Sequence, residues 1–121
     1  MKEAKDNPLA QKSYSFALDI VFICKNLMSE KREFILSKQL LKSGTSIGAN
    51  IAEANGAIST ADFSSKISIA YKESLETKYW LSLLKDADYI GLEKFERLQA
   101  LADELSKILF SILKSTRLKK N

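Results

Sequence analysis

The sequence predicts an all-α protein, an antiparallel up-and-down four-helix bundle. Three observations point there. Apolar residues recur at three- and four-residue steps through four long segments. Glycine and proline are scarce, at four and one in 121 residues, too few for a turn-rich β protein. No stretch shows the strict alternation of a half-buried strand, so helices joined by short connections remain. The length suits one domain over residues 1–121 with a modest core.

The first helix is expected to start near Pro8, a residue suited to a first turn, and to run to about Glu30. Phe16, Ala17, Ile20, Ile23, Cys24 and Leu27 make its apolar face. Cys24 is the single cysteine, so no internal disulfide exists, and its apolar neighbours read it as a small buried hydrophobe. The charged "SEKRE", Ser29 to Glu33, reads as a connection. A second helix is expected from about Arg32 to Ala57. Its core stripe would be Leu36, Leu40, Ile47, Ile51, Ala54 and Ile58, with Gly44 beside it.

That second segment contains "SGTSIGANIAEANGA", which looks like a ligand-cradling loop. A phosphate loop needs Gly-x-x-x-x-Gly-Lys-Ser/Thr, and "GTSIGAN" has neither the spacing nor the lysine. Treated as helix, it orders itself. Gln39, Ser43, Ser46, Asn50 and Glu53 form a second stripe at steps of four, three, four and three, spacing that keeps a seam pointed at a partner helix. Gly44 and Gly48 each cost roughly 1 kcal/mol of helix propensity, which close approach of a neighbouring helix would offset.

The third helix starts at "ISTADF", where Ser59 or Thr60 can cap and Asp62 favours the first turn, and is expected to reach about Tyr89. Phe63, Ile67, Ala70, Ser74, Thr77, Leu81 and Leu84 form its core face. Beside them lie Ile69, Glu73, Glu76, Trp80 and Leu83, flanked by Lys66 and Lys72. An arc that wide, with tryptophan among charges, points to an interface with the second helix or with another subunit; the alternative is a solvated charged face that happens to include Trp80. Asn50 and Glu53 are expected to pair with Lys66, Lys72 or their neighbours. Gly91 in "DYIGLE" is the expected stop. The fourth helix starts near Leu92 and carries Phe95, Leu98, Leu101, Ala102, Leu105, Ile108, Leu109 and Ile112 on one face. The aromatics are expected to be committed to packing, leaving few as stacking platforms.

The net charge is +4, and its location matters more than its size. Lys114, Arg117, Lys119 and Lys120 lie in the closing "KSTRLKKN" with no acid, while the basic and acidic residues of positions 1–113 balance. Residues 114–121 thus read as a basic tail, either a frayed helix end or a disordered segment, able to meet backbone phosphates or an acidic partner. Lys38 and Lys42 could join such contacts. No apolar run approaches the roughly 20 residues of a membrane span, and the first residues lack the apolar core of a secretory signal. A cytoplasmic, non-membrane protein is expected.

Histidine is absent, which removes the commonest general base and metal ligand. Glu53, Glu73 and Glu76 offer carboxylates for a divalent metal, but three glutamates interleaved with lysines read better as salt bridges. No enzyme, metal or cofactor is expected.

The stretches "EFILSKQLLKSGTSIGANIAEA" and "ADFSSKISIAYKESLETKYWLSLL" resemble the four-helix-bundle proteins of the 23S rRNA intervening-sequence family. The resemblance runs from about Ser13 to Leu113. It is carried by the order Q-x-x-x-S-x-x-S-I-x-x-N-I-x-E and by K-E-x-x-E-T-x-x-W-L. The family's motif positions fall here on Gln39, Ser43, Ser46, Asn50, Glu53, Lys72, Glu73, Glu76 and Trp80. At Lys42 the family pattern favours Arg, and lysine gives up any bidentate contact there. The resemblance implies a bacterial protein whose bundles assemble into a ring, a homopentamer. It also implies kinship with the accessory protein of diversity-generating retroelements, which binds nucleic acid and a reverse transcriptase. The expected function is a non-catalytic ring that binds RNA or DNA or serves as an adaptor. The alternative is a protein-interaction scaffold without nucleic acid.

Overall fold

The computed structural model describes residues 7–120, with side chains through Thr116. Four helices follow one another: α1 (Pro8–Ser29), α2 (Ile35–Asn55), α3 (Thr60–Asp86) and α4 (Leu92–Lys120). No strand occurs among the described residues. Sequential helices pack as antiparallel neighbours, and α4 returns beside α1 to close the bundle. The faces α1/α2 and α3/α4 therefore lie on opposite sides.

The helix ends follow local chemistry. Asn7 caps α1 by accepting from the Ala10 amide at 3.1 Å, with Pro8 in the first turn. Ser59, rather than Thr60, caps α3 by accepting from the Asp62 amide at 3.0 Å. The start of α2 departs from expectation. The helix begins at Ile35, because Arg32 takes a left-handed φ of 55° and breaks the turn. Glu33 then folds its carboxylate back over the new helix end. It accepts from the amides of Ile35, Leu36 and Ser37 and from the Ser37 hydroxyl, at 3.2, 3.1, 2.7 and 2.9 Å. Four donors at a positive helix end make this charged connection a cap.

Two other boundaries fall short of expectation. Helix α2 stops at Asn55, so Ile58 leaves the core stripe and stands 95% exposed. Helix α3 stops at Asp86, and Asp88, with φ 65°, supplies the left-handed residue expected of Gly91. The Gly91 carbonyl instead accepts the Phe95 amide at 3.0 Å, opening α4. Helix α4 continues through Lys114 to Lys120, so this part of the basic segment is helix.

The core joins Phe16, Ile20 and Leu27 of α1 to Leu40, Ile47 and Ile51 of α2. Ile67, Leu81 and Leu84 of α3 and Leu98, Leu105 and Leu109 of α4 complete it. Burying such a side chain contributes roughly 1.5–3 kcal/mol. The small residues of α2 serve this packing. A Cβ on Gly44 would lie 2.9 Å from Ile20 Cγ1 and Cγ2, and one on Gly48 would lie 3.4 Å from the Ser13 carbonyl oxygen. The glycine-rich stretch is thus helix held close to α1. Hydroxyl pairs cross the other buried seams. Thr77 Oγ1 donates to Ser43 Oγ at 3.0 Å between α3 and α2, and Ser74 and Ser106 hydroxyls meet at 2.7 Å between α3 and α4.

Not every aromatic is committed to packing. Tyr14 is 68% exposed, Phe22 63%, Tyr79 57% and Phe110 50%. Helical repeat alone cannot distinguish an apolar residue facing the core from one at the edge of a wide arc.

Candidate functional site

The two mixed stripes border the α2/α3 seam and meet across it at particular points. Ser43 is buried against Thr77 at its centre. Glu53, near the end of α2, pairs with Lys66 near the start of α3 at 3.1 Å. The Lys42 ammonium lies close enough to Glu73 to act on its carboxyl. Ser46 and Asn50 are half-buried, and Asn50 turns back on its own helix. Its Nδ2 donates to the Ser46 carbonyl at 2.9 Å and to Ser46 Oγ at 3.0 Å, so it does not reach Lys66 or Lys72. Gln39, Lys72 and Glu76 are exposed and enter no side-chain hydrogen bond or ion pair among the described residues.

Electrostatics mark two residues here. Desolvation raises the Glu73 carboxyl above its ordinary value and Glu76 adds to this, while Lys42 opposes them. Trp80 packs edge-on against Tyr79 with ring centroids 5.0 Å apart, and its indole Nε1 is shielded from solvent without an acceptor. Buried donors are nearly always paired, so this one is an exception. Among the described residues, no three Asp, Glu, Cys or His side chains gather as a metal site, and Glu53 faces Lys66 instead of Glu73 and Glu76.

The proposed nucleic-acid contacts do not form one surface. Lys38 is exposed in the first turn of α2, at the end of the bundle carrying the α1–α2 connection, and Lys42 is exposed one turn further in. Lys114 is exposed on α4 at the opposite end, where Thr116 neighbours Ile58 and Phe63. The 21 residues of α2 put roughly 30 Å between these ends. The side chains of Arg117, Lys119 and Lys120 lie outside the described residues.

Sequence reasoning missed two apolar faces. On the α1/α2 side, Ala10, Tyr14, Ala17, Gly48, Ala49 and Ala52 line a groove of about 510 Å³. On the opposite side, Leu75, Tyr79 and Phe110 stand exposed beside the α3/α4 groove, among Lys78, Asp103 and Lys107. The signal was present in sequence as Tyr14, Leu18 and Phe22 at four-residue steps, outside the core stripe of α1.

Comparison with known proteins places this architecture. A crystal structure at 1.70 Å resolution, of a protein of unknown function from the S23 ribosomal protein family of Bacteroides thetaiotaomicron VPI-5482, superposes with a TM-score of 0.86. The two share 50% sequence identity over 88% of this chain and 98% of that one. A comparison with curated proteins finds no match. No helix of the described residues is long and apolar enough to cross a membrane. The sequence model described as 23S rRNA-intervening sequence protein matches residues 5–111, and the chain belongs to that family.

Proposed function

We propose that the protein is a non-catalytic, ring-forming bundle that binds nucleic acid and acts as an adaptor. The observation that carries this reading is the pair of unlike apolar faces on opposite sides of one protomer. The α1/α2 groove is built from small side chains, while the α3/α4 face offers Leu75, Tyr79 and Phe110. Two different patches that complement each other make a head-to-tail contact, and such contacts close into rings when the rotation permits. Family membership supports a ring of five. The net charge of +4 supports nucleic acid as the partner, since each added copy raises the positive field that attracts phosphates.

Light-scattering mass at low and high salt, with and without a short structured RNA, tests the reading. The expected result is a salt-stable pentamer that gains RNA mass at low salt only. A pentamer indifferent to RNA and DNA would leave a protein scaffold as the function. A monomer would remove the ring.

A further inference from the structure

The loop end of the bundle has an uneven charge distribution. Around the α1–α2 connection lie Lys25, Lys31, Arg32 and Lys38, all exposed. None of them enters an ion pair among the described residues. Of the two acids in that connection, Glu33 is turned inward as the α2 cap, leaving Glu30 exposed. The neighbouring α3–α4 connection is different. Asp86, Asp88, Glu93 and Glu96 are all exposed there with the exposed cation Lys94, while the Lys85 ammonium pairs with Asp86 at 3.1 Å and lies 5.0 Å from the Phe95 ring centroid. Four unpaired cations therefore gather at the α1–α2 corner, whereas acids outnumber cations around the α3–α4 connection.

This corner also carries exposed rings. Phe22 is 63% exposed and Phe34 41%, with the Arg32 guanidinium 5.5 Å from the Phe34 ring centroid. The contact of Cys24 with the Ser37 carbonyl sets Lys25 and Lys38 at one height on adjacent helices. Phe22 then lies about one turn below them and Phe34 about one turn above. Unpaired cations interleaved with aromatic faces are what a flexible polyanion with stackable bases requires. A duplex, with its bases enclosed, would use the cations and not the rings.

We infer that the α1–α2 corner is a contact surface for single-stranded nucleic acid. Lys25, Lys31, Arg32 and Lys38 meet phosphates, and Phe22 and Phe34 stack on bases. The inference rests on the nucleic-acid reading above, and it locates the binding on this corner instead of the C-terminal basic segment.

The test uses the full chain and fluorescence anisotropy with labelled oligouridylate, oligothymidylate and a duplex of equal length, across a salt series. One variant combines Lys25→Gln, Arg32→Gln and Lys38→Gln. Another combines Lys114→Gln, Arg117→Gln, Lys119→Gln and Lys120→Gln. Phe22→Ala and Phe34→Ala are made singly, and helical content and mass are checked for all. The corner variant is expected to bind single strands at least tenfold more weakly, with the logarithmic salt slope reduced by about 2. Each phenylalanine variant should lose about tenfold on single strands and little on duplex. A corner variant that binds like the parent would overturn the inference, while binding lost in the tail variant would leave the nucleic-acid reading standing. Equal parental affinity for duplex and single strand, with neutral phenylalanine variants, would remove the stacking surface. A parent that binds no probe at low salt would overturn both readings.

Discussion

At the scale of the residue, Glu33 shows how a single side chain sets a helix boundary. Desolvation pushes its carboxyl up, but hydrogen bonds from Leu36, Ser37 and Ile35 outweigh this and hold it below its ordinary value. A depressed carboxylate stabilises the fold at pH values above its unfolded value, near 4.3. That contribution is lost as pH falls through the lower folded value. Replacing Glu33 with Ala should cost about 1–2 kcal/mol at neutral pH. The cost should shrink toward pH 3, as urea melts at several pH values would show. Cys24 is the opposite case. Burial, with Glu33 adding to it, pushes the thiol up to about 12, while Sγ donates to the Ser37 carbonyl at 3.3 Å. Iodoacetamide at pH 8 should leave Cys24 unmodified in the native protein and modify it in urea. Rapid native alkylation would contradict its burial.

At the scale of the element, the two glycines of α2 should respond differently to the same change. Gly44→Ala drives a methyl into the stiff, branched Ile20 side chain at 2.9 Å. Overpacking of roughly 1–3 kcal/mol then outweighs the roughly 1 kcal/mol gained in helix propensity. Gly48→Ala meets its nearest neighbour at 3.4 Å and keeps most of that gain. Urea midpoints should fall for Gly44→Ala and hold or rise for Gly48→Ala. The Ser43–Thr77 pair should show a coupling of about 1 kcal/mol in a double-mutant cycle of Ser43→Ala and Thr77→Val. It should not be larger, because each hydroxyl also bonds a backbone carbonyl of its own helix.

Helix existence and core faces were legible in the sequence because burial of an apolar stripe imposes its own period. Boundaries were less legible. Ile58 keeps the period but lies beyond the stop at Asn55, and spacing carries no information about where a chain turns. The Glu33 cap reads as a charged linker until the left-handed Arg32 brings it over the helix end. The α2/α3 stripes could be recognised as facing surfaces, but their pairings could not. Asn50 found its partner one turn back on its own helix, a local choice that always competes with a longer reach.

At the scale of the whole molecule, the cyclic packing order puts two unlike apolar faces on opposite sides, and the proposed ring depends on both. Mixing two variants is the most direct test, with mass measured for each alone and for an equal mixture. Ala49→Glu puts a charge in the groove wall, and Tyr79→Glu puts one on the opposite apolar face; both positions are exposed, so the fold should survive. A head-to-tail contact predicts that each variant alone is monomeric. It also predicts that the mixture forms a heterodimer, because each variant keeps one intact half. Parental mass for either variant alone would contradict the account.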